Sequence, residues 1–326
     1  MTQDSQPLAL VIGATGGLGG ALADRLVASG WRARAMNRNP DLARATRADL
    51  EWVKGDAMVE ADVVSAAQGA RIIVHAANPA GYKNWAGLLM PMLNNTIAAA
   101  RASGARILLP GNVYNYGEDA LPLISETSPQ TPISRKGAIR VRMELALHAA
   151  AGDGVHSLIV RAGDFFGPKP TGGSMFAQAL VKPERPVTAV SYPGPLAIPH
   201  AWAYLPDLAE TFVRLLDTDL GPFEVFHFQG HEVTGDGFVG ALQIAAGRKL
   251  KVGRLPWFAL SLMVPFNETI RELVEMKYLW DRPVLLDNTR LVAKLGAEPR
   301  TPLAVALCAA LIGMRSLPAD GLAVAA

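Results

Sequence analysis

The first residues whose types and spacing could do chemistry are Gly13-Ala14-Thr15-Gly16-Gly17-Leu18-Gly19. An apolar run over 8–13 leads into them and an amphipathic helical pattern over 18–28 follows. Glycines let a strand turn sharply into a helix and let backbone approach a phosphate closely. The helix start adds unpaired N–H groups and the positive end of its dipole, so the chemistry is pyrophosphate binding. Thr15, Gly16, Gly17 and Leu18 sit where those N–H groups converge. The glycines fall at 13, 16 and 19, which is not the G-x-G-x-x-G spacing of the ordinary dinucleotide turn.

About 20 residues later a carboxylate would receive a ribose 2′-OH. The chain instead reads Ala35-Met36-Asn37-Arg38-Asn39-Pro40, with no acid. Arg38 could pair bidentately with a 2′-phosphate, which favours NADP(H) over NAD(H). Gly55-Asp56-Ala57 offers the Asp56 carboxylate to an adenine amino group.

These residues need elements to hold them, and the pattern supplies alternating strands and helices. Strands are expected at 8–13, 32–37, 52–54, 71–75, 106–109 and 155–161, with helices at 18–28, 60–67, 85–103 and 136–151. Fully apolar strands suit a parallel sheet covered on both faces. From 163 to 206 Gly, Pro and aromatic residues dominate, so loop is expected there, with one helix near 174–181. A helix at 205–216 and a strand at 224–228 would return to the sheet. Helices are expected at 234–246, 257–264, 267–278, 288–295 and 302–314. The fold class is α/β: a doubly wound, Rossmann-type parallel sheet with a smaller, mostly helical C-terminal lobe. The dinucleotide-binding domain would take 1–164 plus 202–228, and the substrate lobe 165–201 plus 229–326.

Composition narrows the class. Of the 326 residues, 50% are hydrophobic and 18% charged, which excludes a disordered chain. A net charge of +2 gives no field suited to nucleic acid. The single cysteine, Cys308, cannot form an internal disulfide. The longest late apolar run, 303–314, is too short to span a membrane, and residues 1–6 lack a signal-peptide pattern. A cytoplasmic protein without a membrane partner is expected, and a homodimer stays open. His227, His231 and Glu232 flank a strand end without a third ligand, so they read as loop residues and no metal is expected.

The motifs in order resemble the extended short-chain dehydrogenase/reductase superfamily of the NAD(P)-dependent epimerase/dehydratase type. They are the GxxGxxG turn, Gly55-Asp56, Val74-His75-Ala76-Ala77, Arg161-Ala162-Gly163-Asp164-Phe165-Phe166-Gly167-Pro168 and Ala203-Tyr204-Leu205-Pro206-Asp207-Leu208-Ala209. Asp164 stands where Asn is usual. The resemblance implies a cofactor site that includes Ala76, Ala77 and Asn78, and a substrate cleft at the strand ends.

The resemblance also implies a Ser or Thr, then a Tyr-x-x-x-Lys pair, and this chain has neither. Asn112 takes the Ser/Thr position, Lys136 the tyrosine position and Arg140 the lysine position. Lys136 and Arg140 share one helical face. Arg140 could anchor the ribose, and Lys136, with a pKa lowered by burial and by Arg140, could move a proton. Asn112 could donate to an oxyanion, and Tyr114 is a further proton-transfer candidate, while Tyr116 is expected to pack. A lysine at this place also resembles isoflavone-reductase-like and pinoresinol/lariciresinol reductases. Tyr82, His200 and Trp202 are substrate candidates. The expected activity is an NADP(H)-dependent oxidoreductase acting on a small apolar or aromatic carbonyl, enone or benzylic compound. The alternatives are a nucleotide-sugar-type epimerase or dehydratase with bound NAD(P), and a non-catalytic NADP-binding sensor.

Overall fold

The computed structural model describes residues 6–79, 81, 83–169 and 174–317. The first half alternates strands β1 (Leu8–Ile12), β2 (Arg32–Asn37), β3 (Glu51–Lys54), β4 (Ala70–His75) and β5 (Arg106–Asn112) with helices α1 (Gly17–Ala28), α2 (Pro40–Thr46), α3 (Glu60–Ala66) and α4 (Trp85–Ser103). A short β6 (Leu123–Ile124), helix α5 (Arg135–Ala151) and strands β7 (Ser157–Ala162) and β8 (Asp164–Phe166) follow. Next come β9 (Ala189–Tyr192), β10 (Pro199–Tyr204), α6 (Leu205–Leu216), β11 (Phe223–Phe228) and β12 (His231–Thr234). The chain ends in α7 (Gly235–Ala246), β13 (Lys251–Arg254), α8 (Trp257–Met263), α9 (Glu268–Val274), α10 (Tyr278–Asp281), β14 (Leu285–Leu286), α11 (Thr289–Leu295) and α12 (Leu303–Gly313).

Seven strands form one parallel sheet in the order β11-β7-β5-β4-β1-β2-β3. Every residue of β1 is buried, and the period of two sends its side chains to two different cores. Ala9 and Val11 meet Leu22 and Leu26 of α1 and Leu208 and Phe212 of α6. Leu8, Leu10 and Ile12 meet Val63 of α3, Leu93 of α4 and Met143 of α5. The Rossmann-type sheet read from the sequence is therefore present, helices on both faces.

The lobe has its own core, in which α12 packs on α7 and the buried Cys308 lies. This part departs from the expectation. The stretch 163–206 is rich in loop, as expected, but it also holds β8, β9 and β10, and β10 sits between β8 and β12 in a second sheet. Pro199 opens β10, a position where a missing N–H costs the ladder little. The helix expected at 267–278 is broken after Val274, and a separate turn of helix forms at Tyr278–Asp281. The helix expected at 174–181 is a single π-type turn, Phe176–Leu180.

The histidines read as loop residues are also corrected. His227 is fully buried on β11, where its Nε2 meets the Tyr116 hydroxyl at 2.9 Å. His231 opens β12 and is buried as well.

Candidate functional site

A cleft of about 330 Å³ opens at the carboxyl ends of β1, β4 and β5. The residues Gly13 and Thr15–Gly19 line one side of it, and His75, Ala76, Ala77 and Asn78 line the next. Trp85, Asn112, Tyr114, Arg140 and Phe165 close it toward the lobe. A crevice at these strand ends is where open parallel sheets bind ligands.

The glycine turn is fixed by packing. Gly13 has φ +95°, and a Cβ there would meet the Ala76 carbonyl oxygen at 2.5 Å. A Cβ on Gly19 would fall on the Gly13 carbonyl oxygen. The N-terminus of α1 has Gly16 as its cap, no side-chain capping bond and no acidic residue in its first turn. Among the described residues no side chain caps its first N–H groups, which with the dipole and Thr15 beside them make a cradle that fits a pyrophosphate.

The other expected cofactor residues divide. Ala76, Ala77, Asn78 and Arg140 line the cleft. Arg38 is exposed at the end of β2 and does not line it. The Asp56 carboxylate accepts a hydrogen bond from Met58 N at 3.0 Å and so holds its own turn, with Ala57 beside it. The Ala57 carbonyl accepts from Asn95 Nδ2 at 2.9 Å.

Of the catalytic candidates, Asn112, Tyr114 and Arg140 line the cleft, and Lys136 lies behind Tyr114 in an inner cavity. Asn112 ends β5, and its side-chain oxygen accepts from Tyr114 N at 3.0 Å, so the NH2 of its amide is what it can offer a ligand. This turn carries Tyr114 to the wall shared by the cleft and a small inner cavity. Arg140 projects into the cleft with its guanidinium 5.2 Å from the Trp85 ring centroid.

Lys136 lines the inner cavity instead, at 1% exposure. Its ammonium donates to the Glu272 carbonyl and lies 3.7 Å from the Glu272 carboxylate and 5.9 Å from the Tyr114 ring centroid. Burial pulls its pKa down to about 8, against the opposing pull of Glu272 and Glu275. The lowering that the sequence suggested is present, but its cause is burial, and the repelling neighbour is Arg135.

His75 contributes a neutral ring. Burial, then the charge of Arg140, push its pKa down to about 3. The Thr96 hydroxyl donates to the Met92 carbonyl at 3.0 Å, so the His75 Nδ1–H donates to Thr96 at 2.8 Å.

The inner cavity, about 10 Å³, is bounded by Tyr114, Lys136, Asp164, Gln178, Met276 and Trp280 among others. Asp164 accepts from His200 Nε2 at 2.8 Å, and the His200 ring stacks on Trp280 with centroids 3.9 Å apart. His200 thus stands behind the cavity wall, and Trp202 is enclosed in the lobe core, stacked on Phe238 at 4.3 Å. Neither lines the cleft, because β10 is an inner strand of its sheet. Tyr82 lies outside the described residues. Sequence reasoning passed over Trp85, Glu272 and Trp280. Trp85 was legible as an aromatic residue opening a helix after β4, whereas Glu272 meets Lys136 across 136 residues with no local signal.

Among the described residues no cluster of His, Cys, Asp or Glu could hold a metal ion, and no helix is long and apolar enough to cross a membrane.

Comparison with known proteins places this geometry. A sequence model described as the NAD dependent epimerase/dehydratase family matches residues 9–226. No curated protein matches the sequence. Among solved structures, the UDP-glucuronic acid 4-epimerase of Bacillus cereus in complex with NAD superposes with a TM-score of 0.74 at 17% identity, over 95% of this chain and 99% of that one. MoeE5 in complex with UDP-glucose and NAD gives 0.71 at 18% identity, over 95% and 98%. The UDP-Glc/GlcNAc 4-epimerase of Campylobacter jejuni gives 0.69 at 15% identity, over 95% and 100%. At these identities the likeness is one of fold.

Proposed function

Because the chain belongs to the NAD-dependent epimerase/dehydratase family, we propose that its cleft binds a nicotinamide dinucleotide and that a substrate hydroxyl or carbonyl carbon is worked on beside Tyr114. One observation carries this reading. The uncapped N-terminus of α1 and the group Asn112, Tyr114 and Arg140 line a single cleft. A nicotinamide bound there would accept or return a hydride. The glycine turn would hold the pyrophosphate, and Arg140 the ribose.

The chain's own residues handle the proton. As the carbinol C–H bond gives up its hydride, the O–H proton passes to the deprotonated phenol oxygen of Tyr114 and a carbonyl forms; reduction runs the same transfers backwards. The Asn112 NH2 donates to the substrate oxygen as charge develops on it. Lys136, buried with its ammonium 5.9 Å from the Tyr114 ring centroid, helps to hold that ring in place. Lys136 is thus read as a positioning residue, with Tyr114 taking the proton role that the sequence reading gave mainly to lysine.

Two substrate classes rest on two different observations. The family match and the UDP-sugar relatives support a nucleotide-sugar epimerase or dehydratase that keeps its cofactor. The apolar side chains behind Tyr114, around a cavity with room for no more than a water, support a compact uncharged carbonyl or hydroxyl compound at that end of the cleft. The cavity wall is largely Met175, Leu273, Met276, Leu279 and Trp280, and its cation Lys136 is matched by Glu272. UDP-glucose and acetophenone, each offered with NAD(P)(H), separate the two classes by titration calorimetry and turnover.

Whichever substrate turns over, Tyr114→Phe is expected to lower kcat roughly 100-fold or more while cofactor binding stays intact. An unchanged kcat removes Tyr114 from the proton role. Cofactor binding without turnover of any substrate in a broad panel would favour a sensor.

A further inference from the structure

We infer that segment 248–266 is a contact site for an anionic lipid surface. Two independent properties of that segment carry the inference. The first is apolar exposure. No residue of α8 is buried, and Phe258, Leu262, Met263 and Phe266 are 81%, 64%, 48% and 90% exposed. Phe258 and Leu262 are four apart and share a helix face. Scattered exposed apolar residues are ordinary on a soluble protein, but four large ones within nine residues form a patch.

The second is charge. From 247 to 267 the chain holds Arg248, Lys249, Lys251 and Arg254 and no Asp or Glu, in a protein whose net charge is only +2. All four cations are exposed, and β13, which carries two of them, is exposed throughout.

The patch is firmly mounted. Trp257 Nε1 donates to the Pro193 carbonyl at 2.6 Å, and Leu255 N donates to the Tyr192 carbonyl at 3.0 Å. The next acid along the chain, Glu268, faces Arg271 at 3.6 Å. α8 packs on α9, and Thr269 in the first turn of α9 donates to the Gly81 carbonyl beside the cleft.

A short apolar and aromatic face flanked by cations is the pattern of a segment lying in the headgroup region of a bilayer, with the cations drawn to anionic lipid. Spanning is not involved, so the short apolar runs that argued against a membrane partner do not bear on it. A second copy of the chain suits the patch less well. Two-fold pairing would set each cation group against its own copy, and like charges across an interface repel.

The test uses the full chain and sedimentation with vesicles of phosphatidylcholine, with and without phosphatidylglycerol. The protein should pellet with the anionic vesicles, leave them at high salt, and lose at least roughly tenfold in partitioning in Lys251→Glu/Arg254→Glu. Phe258→Ser/Phe266→Ser should lose vesicle binding too, with circular dichroism and dinucleotide binding unchanged, since both side chains lie at the surface. Absence of binding, or equal binding to neutral and anionic vesicles, overturns the inference. So does a dimer in light scattering that Phe258→Ser/Phe266→Ser turns into monomer.

Discussion

Arg38 is where the proposed preference for NADP(H) can be tested. It is exposed beyond the edge of the cleft, at the end of the strand next to β1, where an adenosine ribose would lie. A 2′-phosphate there would gain a charge-assisted pair that a hydroxyl cannot make. Arg38→Ala is therefore expected to lower the NADPH/NADH affinity ratio about tenfold by fluorescence titration, and an unchanged ratio means the arginine is only solvated. Residue identities made much of the site legible: the glycine turn, Asn112, Tyr114 and Arg140 all line the cleft. Partners were not legible. Lys136 has its ammonium on Glu272 and Asp56 holds its own turn, because a side chain's direction depends on neighbours that sequence spacing does not reveal.

At the scale of elements, the first βα unit is the most constrained part. Gly19 lies in the first turn of α1, with the Gly13 carbonyl and the Ala76 side chain against it. Gly19→Ala should cost about 1–3 kcal/mol in urea unfolding, because backbone must shift to admit a methyl group, and should weaken dinucleotide binding. Gly240→Ala, on α7 with nothing near the added Cβ, is the control, expected to be neutral or slightly stabilising. The central strand β1 was readable because complete burial leaves it uniformly apolar. β8 and β10 were hidden because one is three residues long and the other opens on proline. The break after Val274 left no mark either, since Glu275, Met276 and Lys277 are all good helix formers.

At the scale of the whole molecule, two of the buried histidines, His75 and His227, lie far apart in the large sheet. Burial pushes both His75 and His227 from an ordinary 6.5 down to about 3. In the unfolded chain each binds a proton below about 6.5, whereas in the folded protein each stays neutral until about 3. Stability is therefore full above pH 6.5 and falls as the solution is acidified, by up to about 1.4 kcal/mol per pH unit for each histidine. Urea midpoints measured between pH 6.5 and 5 should drop, and His227→Gln should show a shallower slope than the parent. A slope unchanged by that substitution would mean that His227 titrates normally.

The strand order has a consequence for how the protein is made. β11 completes one edge of the large sheet by pairing with β7, yet some sixty residues of lobe and helix are synthesised between the two. Until residue 228 has left the ribosome, the outer edge of β7 faces the cell with its N–H and C=O groups unmatched. That edge, carrying Leu158, Ile159 and Val160, is a template for pairing with another nascent chain. A truncation ending near residue 164 would keep it permanently open, so a soluble dinucleotide-binding fragment has to run through Phe228.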